Sequence, residues 1–172
     1  GQRRRRAVPR QGRQVDENGP LGPTLQTGIG VGQEEHSLVP ALQRRRLNLL
    51  SRMMFAVTHA ALGEATGVPI IFHSRHGDLQ RTRELLTAIA ARQPCSPNDF
   101  SLSVHNAVLG QWSIFRNDQA RAEAVATITA GLEHAILLAG GLLAEGADSA
   151  LVVTCETPGP EPYSPWTQDV PF

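Results

Sequence analysis

The side chains that could do chemistry are few: two cysteines, Cys95 and Cys155, six histidines, and a scatter of hydroxyls among 172 residues. The cysteines lack metal-ligand spacing, and Cys155 closes an apolar run, residues 151–155, where a small buried thiol is common. There is no G-x-S-x-G turn, and the sequence assigns a base to no serine or cysteine. His73-x-x-His76-x-Asp78 joins imidazoles to a carboxylate, all ordinary metal ligands, yet the spacing is unspecific and no further Cys, Glu or His is held beside it. A strand-to-helix turn in which Asp78 caps the next helix is the better expectation. Neither a metal nor a cofactor is expected.

His105 lies in FSLSVHNAVLGQWSI, residues 100–114. Val104, Val108, Trp112 and Phe115 recur there at helical spacing, so one face is expected to pack into a core. Ser103, His105, Asn106 and Ser113 add polarity that such a helix does not need. Gly110 costs about 1 kcal/mol relative to alanine in a helix interior, which points to another backbone nearby. No acid can be assigned to activate His105, so a satisfied structural histidine is expected ahead of a chemically active one.

The elements that must position these residues follow from periodicity. A helical pattern starts at Pro40, with Leu47, Leu50, Met54, Val57 and Ala61 as its buried stripe and Gly63 and Gly67 as its exit. Residues 68–72 read as a short buried strand. Residues 79–91 read as a helix with Leu85, Leu86 and Ile89 turned inward, ended by Pro94 and Pro97. Residues 122–128 and 151–155 read as two further strands. Between them, residues 129–145 leave only Glu133 and His134 as polar side chains between Thr129 and Glu145, and a helix apolar nearly all round is expected to be buried on more than one side. Gly140 and Gly141 cost about 1 kcal/mol each within it. The alternation of β-rich runs with longer helical patterns makes the fold class α/β, with a mainly parallel sheet.

The order Ser103, Asn106, Gly110, Ser113-Ile114 resembles the corresponding helix of β-ketoacyl synthases of the thiolase fold. The wording SVHNA...G.WSI is closer still to short ketosynthase-like proteins described as chain length factors. The resemblance runs from about Pro40 to Tyr163 and is sharpest from Ser96 to Pro162. It implies a partial thiolase-like layered fold, the ketosynthase amino-terminal half, with a mainly parallel sheet and a buried central helix. Through the shared Thr129 and Gly131 it also implies that Ile128 occupies the position of the family nucleophile. Isoleucine cannot carry an acyl thioester, and the half of complete ketosynthases that holds their two condensing histidines has no counterpart here.

The resemblance therefore implies a non-catalytic subunit that pairs with a catalytic ketosynthase and an acyl carrier protein, in fatty-acid-like, aryl polyene or polyketide synthesis, or that forms a homodimer. His105, Asn106, Trp112, Val125, Thr127, Ile128 and Thr129 would then line an acyl pocket or an interface. A stand-alone acyl hydrolase or transferase and a truncated, nonfunctional product are the competing readings.

Sixteen basic and sixteen acidic residues cancel, giving no whole-chain field for nucleic acid or a membrane surface. No apolar run approaches the roughly 20 residues of a spanning helix, and the amino end lacks the apolar centre of a signal peptide. A soluble, cytoplasmic protein is expected. Residues 1–37, with Arg3 to Arg6 and many Gly, Pro and Gln, show no apolar periodicity. They are expected to be a disordered tail, because ordering costs about 1–2 kcal/mol per residue; the domain would then lack one strand of the family pattern. Residues 38–157 are the expected domain and residues 158–172 a proline-rich coil.

Overall fold

The computed structural model describes residues 24–27, 39 and 47–167. Four strands, β1 (Thr24–Thr27), β2 (Ile70–His73), β3 (Ala122–Val125) and β4 (Ser149–Thr154), form one sheet in the order β1-β4-β2-β3. Every pairing is parallel, as expected for this α/β class. Parallel neighbours need long crossovers. Among the described residues these are built from α1 (Leu49–Leu62), α2 (Leu79–Ala90), α3 (Pro97–Ser101), α4 (Ala107–Arg116) and α5 (Gly131–Ala144), while α6 (Ser164–Thr167) follows the sheet.

Side chains alternate across a strand, and this divides the core in two. Ile70, Phe72, Leu151 and Val153 meet Leu50, Met54 and Phe55 of α1 and Val108, Leu109 and Trp112 of α4. Ile71, Ala150 and Val152 face the other way, onto Ala135, Ala139 and Leu142 of α5. The stripe Leu47, Leu50, Met54 and Val57 is buried as its spacing predicts. The helix itself starts at Leu49, where the Asn48 side chain accepts the Ser51 N–H at 2.7 Å; residues 40–46 lie outside the described residues.

Several expectations need correction. Thr24–Thr27 is a strand inside the expected tail: paired parallel with β4, it gains a backbone ladder that four residues are too short to announce by periodicity. The single helix over residues 100–114 is two, α3 and α4, separated by residues 102–106. Ser103 Oγ donates to Phe100 O at 2.8 Å, a local bond that competes with the helical ladder, and Val104 is left exposed. On α2 no residue is buried, and Leu86 and Ile89 are exposed because no layer among the described residues covers that helix. β3 ends at Val125 rather than at residue 128. The expected carboxyl-terminal coil contains the turn of helix α6. The central helix α5 is buried on one side only, since the sheet covers Ala135 and Ala139 while Leu137 is 72% exposed.

Candidate functional site

In open parallel sheets ligands bind at the carboxyl ends of the strands, and here those ends gather the polar residues that the apolar strands deliver. Beyond β2 come the buried Ser74 and the turn to Gly77; beyond β4 comes Glu156. The Glu156 carboxylate accepts the backbone N–H groups of Arg75 at 2.7 Å and His76 at 3.2 Å and the Ser74 hydroxyl at 3.2 Å. Ser74 Oγ accepts the Gly77 N–H at 2.9 Å. His76 Nδ1 lies 3.3 Å from the same carboxylate, without hydrogen-bond alignment. Glu156 therefore organises the whole turn.

That turn positions its neighbours. A β-carbon on Gly77, whose φ is +60°, would sit 3.0 Å from His105 Nε2, so the imidazole packs directly on this glycine. Asp78 caps α2 by accepting the Arg81 N–H at 3.1 Å, as expected, and also accepts from Asn48 Nδ2 at 2.6 Å. Since Asn48 caps α1, one carboxylate ties the starts of two helices together.

His73 is 8% exposed and neither ring nitrogen has a hydrogen-bond partner. A β-carbon on Gly131 would overlap its ring, so the first residue of α5 must be small for β2 and α5 to meet. Ala130, just before it, holds the left-handed conformation (φ 54°, ψ 40°) that turns the chain into the helix. Burial holds the His73 pKa below its ordinary value, with His105 and His134 adding to the effect and Glu156 and Glu133 opposing it. His105 Nε2, Thr127 Oγ1 and Thr154 Oγ1 are also buried without partners, each on or next to these strand ends. Such atoms are costly to leave unpaired, about 1–3 kcal/mol each.

Neither Cys155 nor Ser74, at these strand ends, is set up as a nucleophile. Cys155 is buried in the α1/α4 core, and burial, with Glu156 adding to it, leaves its thiol pushed up to about 12, far from the thiolate that attacks. The Ser74 hydroxyl is committed to Glu156. Among the described residues no group of three His, Cys, Asp or Glu side chains is disposed to hold a metal ion. Two clefts, of about 220 and 310 Å³, lie elsewhere, at Val68 and Ser149 on the amino ends of the strands and beside His59 and Arg116.

The residues singled out by sequence divide sharply. His105 and Thr127 each bury a polar atom without a hydrogen-bond partner, and Val125 ends β3, accepting the Ser74 N–H at 3.2 Å. Ile128, 79% exposed, and the exposed Thr129 lie on the connection from β3 to α5. Asn106 is exposed at the start of α4 and makes no capping bond. Trp112 is only 3% exposed, its ring 5.1 Å from Phe55 in a T-shaped contact, so it is a core residue and cannot anchor an interface. Sequence reasoning missed Glu156 and Ser74. They are 82 residues apart, and only the adjacency of β2 and β4 brings them together.

A family model described as β-ketoacyl synthase, N-terminal domain, matches residues 23–172, a range that includes β1. No curated protein matches the chain. Among solved structures, one chain of the ketosynthase ApeO in complex with its chain length factor ApeC, from Xenorhabdus doucetiae, matches with a TM-score of 0.67 and 25% identity. The match covers 74% of this chain and 54% of that one, so the present chain spans about half the length of its solved relative. The parallel sheet with helices on both faces is thus a thiolase-like, ketosynthase-type fold.

Proposed function

We propose, from the premise that the chain belongs to the β-ketoacyl synthase N-terminal-domain family, that it is a non-catalytic, chain length factor-like subunit working beside a catalytic ketosynthase. The observation that carries this reading is Ile128. It sits on the connection between β3 and α5, where the family resemblance places the nucleophile, and an aliphatic side chain cannot form an acyl thioester. Cys155, buried and held as the thiol, offers no substitute. The similarity to a chain from a ketosynthase–chain length factor complex supports pairing of the same kind. In that role Thr127, Ile128 and Thr129 would help bound an acyl pocket, the acyl groups would arrive on an acyl carrier protein, and the products would be fatty-acid-like, aryl polyene or polyketide chains made in the cytoplasm. Among the described residues no helix is long and apolar enough to cross a membrane.

The edge of β3 is the surface best suited to such pairing. β3 is last in the strand order, and a free strand edge readily accepts another strand. The bonds from Ile70 N–H to Arg121 O and from Ser74 N–H to Val125 O turn the backbone of residues 121, 123 and 125 toward β2. By alternation the N–H groups of Ala122 and Ala124 point outward. Ala124→Pro removes one outward donor and spares the β2 ladder, whereas Val125→Pro would break the ladder itself. Co-purification with a ketosynthase tests the proposal: wild type is expected to retain it and a folded Ala124→Pro variant to lose it. A complex undiminished by Ala124→Pro would exclude this edge, and failure of the wild type to retain a ketosynthase would reject the pairing.

A further inference from the structure

We propose that residues 78–104 form a flap that opens as one unit while the sheet and its other helices stay folded. The inference rests on where the segment begins and ends. Gly77, at its entry, meets His105, at its exit: a β-carbon on the glycine would sit 3.0 Å from the imidazole Nε2. The chain thus leaves the domain and returns to it at one point. This is the geometry of an Ω-type excursion, here long enough to hold two helices, α2 and α3. With its ends closed on each other, the excursion can lift without parting the elements on either side of it.

What lies between those ends adds little to the fold. None of residues 78–104 is buried, and neither half of the core includes one of them. Segments with few buried apolar contacts open at lower free energy than the core they hang from. The two ends are also suited to act as hinges. Gly77 has φ +60°, which glycine holds without strain, and residues 102–106 lie in turns and bends between α3 and α4.

Polar contacts fasten the segment to the domain and hold it together, and different side chains do the two tasks. At the base, Asn48 Nδ2 donates to Asp78 Oδ2 at 2.6 Å, tying the segment to the start of α1. Within it, Arg81 donates to Asp78 at 3.0 Å and to Asp99 at 2.6 Å, so one guanidinium joins the start of α2 to α3. Farther along, Cys95 Sγ lies 3.9 Å from Leu85 O. Asn48 is therefore the latch, and Arg81 the brace that makes the two helices move together.

Native-state hydrogen exchange of the full chain in increasing urea, read by mass spectrometry, tests the flap. The amides of α2 and α3 are expected to share one opening, at lower urea than the opening of α1, α4 and the strands. Asn48→Ser keeps a capping side chain for α1 but is too short to reach Asp78. It should speed exchange of α2 and α3 together by about threefold or more, as for a lost bond to a charged group, and leave α1 as it was. Arg81→Met should make the exchange of α2 and α3 unequal without changing α1 or α4. Wild-type α2 that exchanges only along with α1 and α4 would overturn the proposal. So would an Asn48→Ser variant that leaves α2 and α3 unchanged or speeds α1 equally, or an Arg81→Met variant in which α2 and α3 still exchange as one.

Discussion

On the α1/α4 face of the sheet, the rings of Phe55, Trp112 and Phe115 lie with centroids 5.1 to 5.9 Å apart beside the buried Met54, Phe72 and Val153. On the α5 face the sheet meets chiefly Ala135, Ala139 and Leu142, and beyond them the helix turns Leu137 and Leu138 outward. Large interdigitating side chains complete the first layer from within the chain. Small ones let α5 sit close to the sheet, but they bury less apolar area and leave an apolar back. The larger apolar side chains are therefore concentrated on one face, while α5 leaves Leu137 and Leu138 exposed on the other.

The contrast is broken most directly by truncation on each face. Trp112→Ala should cost about 3–5 kcal/mol, as for large aromatic residues in close-packed cores, whereas Leu137→Ala should stay within about 0.5 kcal/mol, as for an exposed position. Urea denaturation at a concentration where the chain is monomeric would show it; comparable losses at the two sites would mean that α5 is covered as well. Gly131→Ala probes a tight contact on the α5 side. The added methyl must displace the His73 ring, at an expected cost of about 1–3 kcal/mol from overpacking, and His73→Ala in the same chain should recover much of it.

The smallest expected effect concerns pH. His73 is buried and its pKa lies below the ordinary value, so between the two pKa values the unfolded chain binds the proton that the folded chain refuses. The stabilisation is complete above about pH 6.5 and is lost as pH falls through the folded-state pKa. Denaturation series at neutral and mildly acidic pH should show wild type losing more stability on acidification than His73→Gln. Equal losses would place the proton uptake elsewhere.

Much of the first layer was legible in the sequence, because Leu50, Met54 and Val57 repeat at helical spacing and Asp78 stands where a cap belongs. The break in the helix around His105 was not. Apolar spacing continues through Val104 as though the helix did, while the local bond from Ser103 to Phe100 O redirects the chain. α2 shows the opposite failure: its leucines have an inward-facing pattern, but periodicity cannot say whether a layer exists to receive them. The site itself was half visible. Position 128 and His105 could be reached by resemblance and local pattern, whereas Glu156, which holds the turn beside His73, acquires its meaning only from the pairing of β2 with β4.

The proposed non-catalytic role requires that this chain carry no acyl nucleophile. Intact-mass spectrometry after incubation with an acyl thioester, with a complete ketosynthase treated in parallel, tests it most directly. The ketosynthase is expected to gain the mass of the acyl group and this chain to remain unmodified, with Ile128→Cys alone conferring no elongation activity. A stable acyl adduct on Cys95 or Cys155 that proceeds to an elongated product would contradict the non-catalytic role.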